Sequence, residues 1–306
     1  MRNSKSDSFL LEFSAKLKQR DRLPKNIEVC NLQSGVMASV FETVPAGIIN
    51  ESVFCGMDPD PATAVLKGLV EMIERQAYAE GHRQGLSSCQ TKRSDGFAAF
   101  PIGISQNEKQ IARDNALSEA VERFVWASWW DNPKVGHSWR SVDLNHLSAG
   151  ESPLLDLDES LNIESVVEVR PKMNGDLVVI LYFAFLNPTG VISGGACGNS
   201  RDIETIKYRA LSELLRHGLA IRKLREVNSR SESFYEQRLA FFGLTPEGTR
   251  LAVERLEKSG SESIDLPSLK FDAEIPHALS DLVSVHRCYF ENQPEFIGGK
   301  LERLCL

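Results

Sequence analysis

Apolar residues recur at helical spacing in several stretches of the chain. Phe9, Leu10, Phe13 and Leu17 predict an amphipathic helix over 8–20. Three longer helices are predicted over about 62–80, 107–130 and 203–226. Asp60 before Pro61 supplies a cap and a first-turn proline for the first of them. Ser105 and Glu108 have the form of a capping box for the second, and Asp131-Asn132-Pro133 stops it. Ser200 or Asp202 caps the third. Strand patterns cover Asn26–Cys30, Val36–Val44, Ser165–Arg170 and Ser284–Phe290, with a short one at Val191–Ser193. Asp176–Leu186 is apolar on both faces, as a central strand is.

Between these elements the chain reads as loops. Gly56–Pro61, Ser94–Phe100 and Gly194–Gly198 are rich in small residues and each precedes a long helix. Residues 135–160 read as irregular and Pro267–His277 as a loop. Residues 227–265 are charged and mostly helical, with a helix starting at Thr245-Pro246. The expected class is α/β, built from a strand, small-residue loop and helix unit used three times. No Gly-x-Gly-x-x-Gly follows a strand and no P-loop motif occurs, so the common phosphate-binding folds are excluded.

The three long helices share a phrase. Leu69-Val70-Glu71-Met72-Ile73-Glu74-Arg75 and Leu117-Ser118-Glu119-Ala120-Val121-Glu122-Arg123 both carry Glu-x-x-Glu-Arg. Leu211-Ser212-Glu213-Leu214-Leu215-Arg216-His217 keeps only the first Glu. Glu at i and i+3 share a helix face, with Arg at i+4 beside the first. One copy alone reads as solvated ion pairs on an amphipathic surface. Two copies facing each other would gather four carboxylates, which needs neutralising cations.

Composition narrows the alternatives. The 306 residues suit about two domains or one large one. A net charge of −7 gives no electrostatic footprint for nucleic acid. No apolar run reaches membrane-spanning length and no secretory signal is visible, so a cytoplasmic location is expected, with neither nucleic acid nor membrane as partner. Cys30, Cys55, Cys89, Cys197, Cys288 and Cys305 are scattered without Cys-x-x-Cys, and Cys305 is not in a prenylation box, which fits reduced thiols. His82, His137, His146, His217, His277 and His286 lack metal-ligand spacing such as His-x-x-x-His, and no nucleophile elbow is present. Cys197 reads as a packing residue and the Phe124–Trp130 aromatic stripe as core. What remains is a site made of carboxylates and arginines. Mg²⁺ takes carboxylate and phosphate oxygens, and arginine neutralises phosphate directly.

The blocks that carry this chemistry resemble the YcaO family. They are Gly56 followed by the Ala64–Arg75 helix, then Ser94-x-Gly96-x-Ala98-Ala99 followed by Ala112 and Ala116–Arg123, then Arg209–Leu215. The resemblance covers about residues 55–220. It implies a YcaO-like α/β fold with mixed sheets around a central nucleotide site. It also implies ATP- and Mg²⁺-dependent phosphorylation of peptide backbone amides, giving azolines, thioamides or amidines in the making of a ribosomally synthesised, modified peptide. By the same resemblance Glu71, Glu74, Glu119 and Glu122 hold Mg²⁺. Lys5, Arg75, Asn107, Arg123, Arg209 and Glu213 contact the nucleotide or complete its site.

The chain departs from the family's pattern in places. It has Asp95 where Asn or Thr is common, Ile111 where Glu is usual, a longer segment from Gly96 to Ala112, and no Pro-x-Pro-x-Pro tail. One YcaO-like domain is expected across 1–306. Within it, 1–50 forms an N-terminal helix and strands, 51–226 the ATP-binding core, 227–265 a helical insertion and 266–306 a C-terminal strand and tail. The implied partners are a peptide substrate and a separate leader-peptide-binding or activating protein, with a homodimer left open. The alternatives are a non-catalytic nucleotide-binding scaffold or regulatory subunit, and an unrelated α/β protein whose Glu-x-x-Glu-Arg helices are solvated.

Overall fold

The computed structural model describes residues 5–42, 53–86, 89, 96–227, 234–294 and 300–304. In chain order these form α1 (Lys5–Gln19), β1 (Asn26–Asn31), β2 (Val36–Phe41), β3 (Val53–Asp58), α2 (Pro61–Arg83), β4 (Gly96–Pro101) and α3 (Glu108–Asp131). There follow β5 (His137–Ser141), α4 (Leu154–Leu161), β6 (Ile163–Pro171), β7 (Leu177–Leu186), β8 (Val191–Asn199) and α5 (Ile203–Val227). The chain continues with α6 (Phe234–Leu244), α7 (Pro246–Glu257), β9 (Leu269–Glu274) and β10 (Val283–Phe290). The sheets have orders β1-β2-β3, β4-β10-β9 and β5-β6-β7-β8. Two compact units arise, one from Met1–Thr91, Phe97–Leu117 and Phe271–Cys288, the other from Lys92–Gly96, Ser118–Lys270 and Tyr289–Leu306.

In the first unit β1, β2 and β3 form an antiparallel sheet with Ala38 opposite Gly56. The core joins Phe13 and Leu17 of α1, Val40, Phe54, and Leu69, Met72 and Ile73 of α2, with Phe97, Val283 and Val285. The sequence reading made Gly56–Pro61 a loop, but Gly56 to Asp58 belong to β3. Asp60 does cap α2, accepting the Thr63 amide at 3.0 Å. The small residue serves packing: a Cβ on Gly56 would lie 2.0 Å from the Ala64 carbonyl oxygen and 2.6 Å from the Gly68 nitrogen. Likewise Gly96 to Phe100 lie in β4, not in a loop. Ser94 and Asp95 of the same block, Val44, and Cys305 lie outside the described residues.

In the second unit β5 to β8 form an antiparallel sheet. β7 lies between β6 and β8 and is buried along most of its length, as its two-sided apolar pattern predicts. The Gly194–Gly198 segment, expected as a loop, lies within β8 and is buried from Gly194 to Cys197. A Cβ on Gly194 would meet the Ala210 carbonyl of α5 at 2.3 Å, and one on Gly195 would meet the Trp126 ring at 2.7 Å. Trp126 and Trp129 are fully buried, so the aromatic stripe of α3 is core. Residues 135–160, expected as irregular, contain β5 and α4, and the 267–277 segment contains β9. β5 and α4 are too short to sustain a pattern, whereas β9 alternates apolar and polar residues from Leu269 to Glu274 as a strand does.

The start of α3 differs in detail from the predicted box. Glu108 Oε1 accepts the amides of Gly103 at 3.0 Å and Ser105 at 3.2 Å, while Ser105 Oγ accepts the Asn107 amide at 3.3 Å. Thr245 caps α7 through the Gly248 amide at 3.1 Å, as its sequence suggests.

Close backbone approach makes the glycines irreplaceable. Gly56→Ala and Gly194→Ala are each expected to lower stability by about 1–3 kcal/mol, because the neighbouring backbone atoms must move. Urea unfolding midpoints measure this; unchanged midpoints would refute the packing role.

Candidate functional site

In the first unit the Glu-x-x-Glu-Arg phrase lies in the middle of α2. Glu74 is buried, and Glu71 and Arg75 are half-buried. The Arg75 guanidinium lies 3.9 Å from Glu71 Oε1 and 3.7 Å from Glu74 Oε1, so one cation serves two carboxylates. The Cys55 amide on β3 donates to Glu71 Oε2 at 2.9 Å and fixes that carboxylate against the sheet. Nothing in the sequence signals this bond, because any residue but proline supplies the donor. Lys5 is exposed at the start of α1, and Asn107 is exposed just before α3.

In the second unit the second and third copies converge. Glu119, Glu122 and Arg123 come from α3, and Arg209 and Glu213 from α5. Arg123 pairs with Glu119 one turn away. Glu122 is only 9% exposed. Burial, the charge of Glu213 and that of Glu119 push its carboxyl up to about 8, against the pull of Arg123 and Arg209. The third copy lacks its second acid, and Arg216 in that place donates to Glu213 Oε1 at 2.9 Å. That pairing was not foreseen, although Glu and Arg at i and i+3 were a readable signal.

Cys197 of β8 borders the same cluster. Burial and the charge of Glu122 push its thiol up to about 12, with Arg209 opposing. It stays protonated at neutral pH and packs, as the sequence reading held.

A second polar cluster in this unit shows what full satisfaction looks like. Glu168 accepts from Tyr182 Oη at 2.8 Å, from Arg170 Nε at 2.7 Å and from Arg140 Nη2 at 2.5 Å. Burial pushes Glu168 up, yet these donors hold it below the usual carboxylate range. Its charge is balanced inside the fold. Glu122 is driven the opposite way, so its surroundings favour either a proton or an added cation. Three carboxylates with two arginines are a suitable oxygen donor set for Mg²⁺ bearing phosphate.

No family model matches the chain, and no curated protein matches it in sequence. Solved structures do match. A YcaO protein from Methanopyrus kandleri, bound with AMPPCP and Mg²⁺, aligns with a TM-score of 0.60 at 14% identity, covering 97% of this chain and 93% of that one. A heterocyclase in complex with substrate and cofactor aligns with a TM-score of 0.62 at 11% identity. It covers 98% of this chain, which spans 54% of the heterocyclase. The E. coli microcin synthetase McbBCD, with pro-MccB17 bound, aligns with a TM-score of 0.57 at 9% identity over 87% of each chain. Helix-on-strand units, antiparallel sheets and near-complete coverage agree on one architecture, and the chain has the YcaO fold.

Proposed function

We propose that this protein is an ATP- and Mg²⁺-dependent enzyme that phosphorylates backbone amides of a peptide. A nucleophile then adds at the amide carbon and phosphate leaves, giving an azoline, thioamide or amidine. The observation that carries the reading is Glu122, a buried carboxyl crowded by Glu119 and Glu213 in a chain with the YcaO fold. In the second unit Glu119, Glu122 and Glu213 are the proposed Mg²⁺ ligands, and Arg123 and Arg209 the phosphate contacts. In the first unit Glu71 and Glu74 are proposed as further Mg²⁺ ligands, with Arg75, Asn107 and Lys5 toward the nucleotide. Bound Mg²⁺ would neutralise phosphate oxygens as charge moves onto them.

The chain's own residues have distinct tasks in this scheme. Arg123 holds Glu119, and the Cys55 amide holds Glu71, so each carboxylate is oriented before the substrate arrives. Arg209 is exposed on α5 and can reach an incoming phosphate. A peptide substrate and a separate protein that delivers it belong to the same proposal, as does a cytoplasmic setting. No described helix is long and apolar enough to cross a membrane.

Three measurements test the reading. Calorimetry should show ATP binding that strengthens with Mg²⁺, and Glu122→Gln or Glu119→Gln should weaken the Mg²⁺-dependent part at least about tenfold. Unchanged binding would remove these residues from the site.

The second measurement is pH dependence. Glu122 titrates near 8 in the folded chain against an ordinary value of 4.5, so folding favours its protonated form. Without Mg²⁺, stability should therefore fall as pH rises from about 4.5 through 8 and level off above. Mg²⁺ should recover stability most at the alkaline end, and Glu122→Gln should flatten that part of the profile. A wild-type profile unaffected by Mg²⁺ at pH 8.5 or above, roughly where the carboxyl is ionised, would count against a metal at Glu122.

Third, ATP hydrolysis stimulated by a candidate peptide separates an enzyme from a nucleotide-binding scaffold, which would bind ATP without peptide-dependent turnover.

A further inference from the structure

The sheet of the first unit that joins β9 and β10 carries a cluster that the proposed ATP chemistry does not use. His286 and Cys288 are two residues apart on β10, so their side chains leave the same face of the strand. Asp272 comes from β9, the neighbouring strand. His286 Nε2 lies 2.7 Å from Asp272 Oδ1, and the Cys288 thiol donates to the same oxygen at 3.4 Å. The three ligating atoms all lie within 4.8 Å of one another. Cys288 is fully buried and His286 is 8% exposed, while Asp272 keeps an opening to solvent.

Arg113 of α3 completes the arrangement. Its Nη2 holds Asp272 Oδ2 at 2.6 Å, and its Nε lies 3.0 Å from both carboxylate oxygens. The carboxylate is thereby fixed with Oδ1 turned toward His286 and Cys288. Ligating carboxylates are commonly oriented by such an outer donor.

We propose that Asp272, His286 and Cys288 bind a transition-metal dication of the Zn²⁺ class. One thiolate, one imidazole and one carboxylate are the ligand types Zn²⁺ prefers, and three protein ligands leave a fourth position for solvent. Bonds of about 2.0–2.3 Å to a tetrahedral ion put neighbouring ligand atoms roughly 3.3–3.8 Å apart. His286 Nε2 and Cys288 Sγ lie 2.7 and 3.4 Å from Asp272 Oδ1, so each needs to part from that oxygen by less than about an ångström to reach those separations. Binding releases the Cys288 proton. His286 coordinates through Nε2 with its remaining proton on Nδ1, and Asp272 Oδ1 exchanges two hydrogen bonds for one metal bond. The charge of Arg113 stays on Oδ2 and offsets the second negative ligand. Soft thiolate ligation sets this site apart from the hard carboxylate sets of α2 and α3, which suit Mg²⁺.

Co²⁺ reports thiolate ligation directly. The purified full chain, stripped with a chelator and kept under a non-thiol reductant, is titrated with Co²⁺ and followed in the near ultraviolet and visible. The expected result is a thiolate-to-cobalt charge-transfer band that saturates with a single equivalent. Zn²⁺ should bleach it and excess Mg²⁺ should not. Cys288→Ser should abolish the band. His286→Ala and Asp272→Asn should each weaken Co²⁺ affinity at least tenfold, with far-ultraviolet dichroism unchanged. Absence of the band from folded wild-type protein, its survival in Cys288→Ser, or its displacement by Mg²⁺ would each overturn the proposal. Because the readout is independent of ATP, its failure would leave the amide-activation reading untouched.

Discussion

In each unit a helix rests on a strand so closely that only hydrogen fits between them. Ala64 and Gly68 of α2 press on Gly56 of β3, and Ala210 of α5 presses on Gly194 of β8. This contact fixes the height of each helix above its sheet. It also fixes which face of the helix is turned inward, and the carboxylates of the repeated phrase are carried round with it. Glu71 meets the Cys55 amide because α2 lies that close to β3. The glycines that read as loop residues are therefore the reason the helices can sit where they do.

The electrostatics follow from that placement. A carboxyl brought under cover must gain donors, a counter-charge or a proton. Glu168 gains donors from Arg140, Arg170 and Tyr182, and its charge is settled within the fold. Glu122 is covered to a similar degree but faces Glu119 and Glu213, and their repulsion together with burial raises it to about 8. Burial raises both carboxyls, and the sign of the net shift differs because Glu168 has donors to oppose it while Glu122 has two further acids beside it. One is a structural brace. The other is left to gain a proton or a counter-charge.

Long elements were legible because their periodicity is repeated many times. α2, α3 and α5 agree with the spacing of their apolar residues, and β7 agrees with its two-sided apolar run. Glycine-bearing strands were misread for a definite reason. Cys55-Gly56 and Gly194-Gly195 lack the β-branched side chains that advertise a strand, and glycine marks turns as often as close packing. β5 and α4 were missed because a short element repeats its pattern too few times, whereas the alternation of Leu269, Phe271 and Ala273 with polar residues in β9 was readable. The His286-x-Cys288 pair was readable at strand spacing, but its partner Asp272 stands on another strand.

The sequence by itself determined the α/β class, the three Glu-bearing helices and the chemical types available to a site, because periodicity and residue identity are local properties. It also carried the order of blocks that resembles YcaO proteins, whose fold the chain shares at 14% identity or less. Tertiary structure alone decided which acids lose water and which carboxylates of different helices crowd one another, as Glu213 of α5 crowds Glu122 of α3. The pairings of Arg75 with Glu71 and Glu74, of Arg123 with Glu119 and of Arg216 with Glu213 follow helical spacing and are local. Burial and charge–charge distance are set by chain segments far apart in sequence. The repeated phrase is consequently the same text with two different environments, and only packing made Glu122 the strained acid of its unit.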